Sequence, residues 1–298
     1  MTATADRPVI DFGPLAEPLH PDIAGPGDPD YRDNAYFGIW SHTEDIFGEV
    51  HVSTSPNAFR WARIELNVKG RTVEINEDCP KDSYTSEHID FDTNGRLTVR
   101  HPDLEVDITY APRFQPMDYS PKKVMGGLIS DKPLRHYEQG TSVTGTITMY
   151  GEKVDFDGLG FRDRTWGFRD DSRQWQEYMT VWGTFDGFDL TAMKFMDTKG
   201  TTIADGFLNQ ADGTQRRVTE MNYTYTPAGT MKHLRLILDG TEERIVERTR
   251  SMGGFWLPMG PQKPEGSSCF HAYDDFAELD AWGNPGRGIV AYGIQRVL

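Results

Sequence analysis

The stretch Gly158-Leu-Gly-Phe-Arg-Asp-Arg-Thr-Trp-Gly-Phe-Arg-Asp-Asp171 is the densest chemistry in the chain. Its fourteen residues hold three arginines, three aspartates, a tryptophan, two phenylalanines and three glycines. Charges interleaved with aromatics and glycines make neither a solvated loop nor a plain core strand. They indicate polar groups set in an apolar wall, where each charge needs a partner because burial without one is costly.

Strand-like segments lie on both sides of it. Upstream, Ser142–Met149 and Lys153–Asp157 flank a Tyr150-Gly151 turn. Earlier hairpins are Phe59–Val68 with Arg71–Asn76 across Lys69-Gly70, and Arg96–Arg100 with Leu104–Tyr110. An aromatic strand, Asn34–Ser41, precedes them. Downstream come Glu177–Trp182, Phe188–Met196, Thr201–Asn209, Thr214–Thr226, Met231–Leu238, Glu243–Arg250, Cys269–Glu278 and Gly288–Arg296. X-Gly turns at Asp186-Gly187, Asp212-Gly213 and Asp239-Gly240, with Asn284-Pro-Gly286 near the end, separate them. Short alternating strands joined by such turns are a β meander. Helical periodicity is nearly absent, with one short helix expected at 172–176.

About fourteen strands exceed the ~10 that an open twisted sheet usually carries. The expected fold is therefore all-β, with two antiparallel barrels or sandwiches in one chain. Residues 1–33, rich in Pro, Gly and Asp, read as an irregular arm. A proline-bearing link over 111–134 suggests a joint, with one β domain over 34–125 and a second over 126–298.

The chain has 298 residues, 37% of them hydrophobic, and a formal net charge of −15. That charge argues against nucleic acid and anionic membranes as partners. Two cysteines, Cys79 and Cys269, form no framework. There is neither a signal-peptide pattern nor an apolar run of ~20 residues, so no membrane insertion is expected and the compartment is read as cytoplasmic.

Arg135-His-Tyr-Glu-Gln139, Val143-Thr-Gly-Thr-Ile147 and Gly160-Phe-Arg-Asp-Arg-Thr-Trp-Gly-Phe-Arg-Asp170 resemble the hydroxyneurosporene synthase (carotenoid 1,2-hydratase)/AttH-like family. The family pattern is close to Gly-x-Arg-Asp-His-Ser-Trp-Gly-x-Arg-Asp. This chain departs from it at Arg164 and Thr165, where His and Ser are expected. The resemblance is good over about residues 130–200. It implies two lipocalin-like domains with an apolar ligand cavity between or within them, and hydratase or cyclase chemistry on terpenoid-like substrates.

Within the stretch, Asp163 lies among Phe161, Trp166 and Phe168. Desolvation there would raise its pKa and make it a general acid. Pairing with Arg162 or Arg169 would do the opposite. Arg162, Arg164 and Arg169 either hold a polar substrate group or pair with Asp163, Asp170 and Asp171. Trp166, Trp182 and Trp40 line a cavity and stabilise positive charge, or are core. His136 and Glu138, two apart, share a strand face and can place a base beside an orienting carboxylate. Tyr178 is a candidate wall residue.

No metal-ligand cluster, P-loop, GxSxG or dinucleotide fingerprint occurs, so no cofactor and no metal are expected. The leading expectation is a cofactor-independent lyase or isomerase. It would act on a small apolar, terpenoid-like substrate, with Asp163, His136 and Glu138 catalytic and Trp166, Trp182, Arg162, Arg169, Tyr178 and Trp40 binding. The rivals are a non-catalytic lipocalin-like carrier and a Diels–Alder-type cyclase that works by holding shape. A homodimer is compatible with all three.

Overall fold

The computed structural model describes residues 10–20, 24–25, 27–54, 60–80, 82–129, 131–259 and 268–297. The first sheet is built from β1 (Tyr31–Ser41), β2 (Ile46–Thr54), β3 (Arg60–Val68), β4 (Arg71–Cys79), β5 (Ile89–Asp92), β6 (Arg96–His101), β7 (Leu104–Pro112), β8 (Met117–Asp118), β9 (Arg135–Met149) and β10 (Glu152–Phe168). Its order is β4-β3-β2-β1-β10-β9-β7-β6-β5, with β8 added beside β9. Residues from both ends, such as Ile75 of β4 and Phe91 of β5, enter one core, so the sheet curls upon itself.

A single turn of helix, α1 (Asp171–Gln174), leads into the second sheet. There β11 (Trp175–Phe185), β12 (Phe188–Asp197), β13 (Thr202–Gln210), β14 (Gln215–Tyr225), β15 (Met231–Leu238), β16 (Glu242–Met259), β17 (Ser268–Ala281) and β18 (Asn284–Val297) pair in chain order. Pairing of β18 with β11 closes the barrel. The fold is thus two lipocalin-like β units, as expected. Among the described residues no helix is long and apolar enough to cross a membrane.

Turn chemistry accounts for much of the meander. Lys69-Gly70, Tyr150-Gly151 and Asp239-Gly240 each place both turn residues at positive φ, the geometry that matches the twist of a tight hairpin. The last turn is Trp282-Gly283, not Asn284-Pro-Gly286, which begins β18.

Two expectations are corrected. The division near residue 125 does not separate the sheets. β9 pairs with β7 and β10 pairs with β1, so this hairpin closes the gap inside the first sheet. The proline-bearing link is a connection within that sheet, and the chain passes to the barrel only at α1. β2 was also unrecognised, because its Gly48, Glu49 and His51 dilute the apolar pattern.

The barrel interior is packed with side chains including Val181, Leu190, Leu234 and Val290. A further apolar core, around Tyr36, Phe161, Trp175 and Phe270, lies between the sheets. Glycines allow the close approach. A Cβ at Gly140 would sit 1.8 Å from Asp189 Oδ2, and one at Gly38 2.4 Å from Ile289 Cδ1. Asp189 cannot swing aside freely, since Arg113 Nη1 donates to it at 2.8 Å. Gly140→Ala is expected to lower unfolding free energy by about 1–3 kcal/mol, the usual range for overpacking. Urea denaturation followed by tryptophan fluorescence measures this, and an unchanged midpoint would contradict the packing described.

Candidate active site

Three rows of directly opposed residues cross β3, β2, β1, β10 and β9 on the face turned to the barrel. The middle row is Arg63, His51, Tyr36, Asp163 and Glu138. One flanking row is Trp61, Ser53, Asn34, Thr165 and His136, and the other is Glu65, Glu49, Gly38, Phe161 and Gly140. Opposed residues share a face because side chains alternate with period two. This face forms a polar floor. Across from it the barrel supplies Trp175, Tyr178, Trp182, Met193, Phe195, Leu257 and Ala272 as an apolar roof, together with Asp274. A cavity of about 80 Å³ remains between them.

At one end of the floor, His136 Nε2 lies 2.5 Å from Asp163 Oδ2 and 3.3 Å from Glu138 Oε1. The 2.5 Å approach is an ion pair set off the in-line hydrogen-bond direction, and Nδ1 has no hydrogen-bond partner among the described residues. Each carboxylate is held in turn. Thr165 Oγ1 donates to Asp163 at 2.9 Å. Trp182 Nε1 donates to Glu138 Oε1 at 2.8 Å and Thr191 Oγ1 to Oε2 at 2.5 Å. Tyr119 stacks on the imidazole with ring centres 4.9 Å apart and donates to Thr191 at 2.9 Å.

Burial by itself would lower the His136 pKa, but the Asp163 and Glu138 carboxylates outweigh it and raise the ring to about 9. Burial would raise Asp163, yet the imidazolium, the Thr165 hydroxyl and Arg169 hold its carboxyl below the usual range. The acid expected at Asp163 is therefore a carboxylate, and the transferable proton sits on His136. The trio has the donor set of a metal site, with one atom from each residue within 4.8 Å of the others. However, the 2.5 Å contact is nearer than two ligands of one zinc ion sit, about 3 Å apart for bonds of ~2 Å. It is the contact of an ion pair.

Of the expected binding residues, Trp182, Tyr178 and Arg169 line the cavity. Arg169 Nε donates to Asp171 at 2.8 Å, and its guanidinium lies over the Trp175 ring. The other three point elsewhere. Strand alternation turns Arg162 into the first sheet, where it donates to the carbonyls of Thr93 (2.6 Å) and Leu15 (2.8 Å) among Phe12, Phe91 and Tyr110. Arg164 pairs with Asp33 on the same side. Trp166 stacks on His20 of the N-terminal arm and on Tyr137. Trp40 is core, donating to Thr184 Oγ1 at 3.0 Å.

The other end of the cavity was missed in the sequence. The Tyr36 hydroxyl lies 2.8 Å from Glu49 Oε2 and 3.0 Å from Asp274 Oδ2, within donating distance of either. His51 beside them is kept neutral, its pKa lowered to about 3 mainly by burial. Glu49 and His51 lie on the polar phase of β2, which in sequence looks like a solvated face.

A half-open curled sheet and a closed barrel, clasping an acid-lined cavity, define a double lipocalin-like protein. The chain belongs to the family described as a domain of unknown function, DUF7064, whose model matches residues 16–295. No curated protein shows significant sequence similarity to it. Among solved structures it resembles an AttH candidate from Nitrosomonas europaea (TM-score 0.64, 14% identity, 98% of both chains covered). It also resembles kievitone hydratase from Nectria haematococca (TM-score 0.60, 12% identity, 97% of this chain and 96% of that one). A third is CghA with Sch210972 (TM-score 0.64, 10% identity, 91% and 89%). At these identities the likeness is one of fold. It agrees with the AttH-like part of the resemblance carried by residues 160–170.

The ion pair predicts a pH signature. His136 has a folded pKa of about 9 against an ordinary 6.5. Its contribution to stability is thus complete below pH 6.5 and lost as pH rises through 9. Asp163, lowered on folding, loses its part only in acid. Wild type should lose up to roughly 3 kcal/mol between pH 6.5 and 9, at 1.36 kcal/mol per unit. Asp163→Asn should flatten this slope. Urea titrations at the two pH values check both statements, and equal slopes would refute the pairing.

Proposed function

We propose that the protein is a cofactor-independent lyase that adds water to, or removes it from, a small apolar, terpenoid-like substrate in the cavity between the sheets. One observation carries the reading: an imidazolium held by two carboxylates faces an aromatic-walled cavity. A proton source at that place can protonate a double bond or a leaving hydroxyl, and such transfer is worth 10²- to 10⁴-fold in rate. His136 is the proton donor. Asp163 orients the ring and stabilises its charge, and Glu138 does the same through Trp182 and Thr191. The faces of Trp182, Trp175 and Tyr178 steady positive charge developing on carbon. Met125 and Met193 are the pliable members of the lining, and a cavity of about 80 Å³ needs them to move for anything larger than a few waters.

The fold neighbours support the reaction class, since one is named a hydratase. A carrier is less well served by this cavity. Buried charges cost desolvation, and an apolar ligand returns nothing for them. The cyclase reading, prompted by the likeness to CghA, requires wall shape more than a proton.

The test is a panel of tertiary terpenoid alcohols such as linalool and alkenes such as limonene, with loss or gain of water followed by mass spectrometry. His136→Gln and Asp163→Asn should each lower kcat/KM by 10² or more while remaining folded by circular dichroism. Full activity in both variants, with loss on Trp182→Phe, would replace this mechanism by the shape-holding one.

A further inference from the structure

We infer that Asp274, backed by Glu49 and Tyr36, is a second proton-transfer group of the cavity, facing the His136 trio from the barrel side and taking the substrate's carbon-bound proton. This rests on the proton-transfer reading above and extends it to the opposite wall. Asp274 is the acidic side chain that β17 adds to the cavity lining, and it is 3% exposed. The Tyr36 hydroxyl bridges it to Glu49, at 3.0 Å and 2.8 Å. Glu49 and Glu65 are directly opposed across β2 and β3 on the same face, and Glu49 Oε1 has no hydrogen-bond partner among the described residues. Arg63, paired with Glu65, is the cation beside this group and donates in addition to the Trp256 carbonyl at 2.8 Å.

Three buried carboxyls beside one guanidinium cannot all be ionised, because like charges at such range force a proton onto one of them. Glu49, in the middle, holds it: burial and the charges of Asp274 and Glu65 push it well above the usual range. Asp274 is raised by burial to about 7, with Tyr36, Glu49 and Arg63 drawing it down and Glu65 pushing it up. From β11 the remaining titratable neighbour is Tyr178, which keeps its proton. The cross-strand neighbours of Asp274 on β16 and β18 are Phe255 and Ala291, which carry no charge. A carboxyl poised near neutral pH suits a base that must give its proton back. A separate observation points to a bound polar group: His51, 9% exposed in the same lining, leaves Nδ1 without a hydrogen-bond partner among the described residues.

In the dehydrating direction Asp274 takes the proton from carbon, and the C–H pair becomes the new π bond. The C–O bond breaks with its electrons on oxygen, which receives the proton of His136 and leaves as water. Solvent exchange then returns Asp274 and His136 to their starting states. Hydration is the reverse. The two groups stand on different walls, so the substrate must present the broken C–H and C–O bonds to different sides.

The test uses the panel alcohol turned over by wild type, in D₂O. Asp274→Asn should lower kcat/KM by 10² or more and abolish deuterium incorporation at carbon. His136→Gln should lose C–O cleavage and the exchange with it, since that C–H bond gives up its proton only beside the developing positive charge. Tyr36→Phe removes a donor to the Asp274 carboxylate, so the neutral limb of its pH profile should move to higher pH. Infrared titration of the protein without substrate should show protonated-carboxyl absorption that titrates near neutral pH in wild type and loses intensity in Asp274→Asn, the remainder belonging to Asp189, which burial also raises to about 7. Wild-type exchange in folded Asp274→Asn, or an infrared band untouched by that change, overturns the inference. Inactive His136→Gln beside fully active Asp274→Asn overturns this inference alone, whereas the opposite pattern overturns the role of His136 and leaves Asp274 standing.

Discussion

The structure depends on β10 being buried on both faces. It pairs with β1 on one side and β9 on the other, in the middle of a curled sheet that also serves as the floor under a barrel. Alternation sorts its side chains between two interiors. Arg162 and Arg164 enter the first sheet, where carbonyls of the N-terminal arm and Asp33 receive them. Phe161, Asp163 and Thr165 face the barrel. The charge-rich, aromatic-rich stretch is therefore two half-sets of residues with different duties. The arginines anchor the arm over the first sheet, and the aspartate lines the cavity.

The cavity exists because two surfaces of unlike character meet. A sheet face normally turned to water carries His136, Glu138, Asp163, Tyr36, Glu49 and His51, and the barrel's aromatic outer face lies over it. Desolvation at this contact acts on every group but does not settle them alike. Where two carboxylates surround one imidazole, charge pairing wins and the ring stays protonated. Where carboxyls outnumber cations, burial wins and protons are retained. Two ends of one cavity thus hold protons for opposite reasons, the arrangement that acid–base chemistry at one pH requires.

Much of the architecture was legible in the sequence. Dipeptides such as Lys69-Gly70 and Tyr150-Gly151 mark hairpins because glycine accepts positive φ without strain. Alternation marks their arms. The hairpin of β9 and β10 was recognised, yet its place was misjudged, since no local signal states which distant strands a hairpin joins. β2 escaped because its polar phase is also buried, so the apolar contrast that reveals a strand is weak. With β2 unseen, Glu49 and His51 could not be set beside Tyr36.

By itself, then, the sequence determined the all-β class, most strand arms and turns, and the pair His136 and Glu138 on one strand face. Each of these follows from spacings of a few residues. Tertiary structure alone decided that Arg162 and Trp166 turn away from the cavity and that Asp163 is ionised. It also decided that Asp274, more than a hundred residues downstream of Asp163, completes the lining. The physical reason is that a side chain's charge state and role depend on what is packed against it. Here that packing comes from strands far apart in the chain, meeting across two sheets.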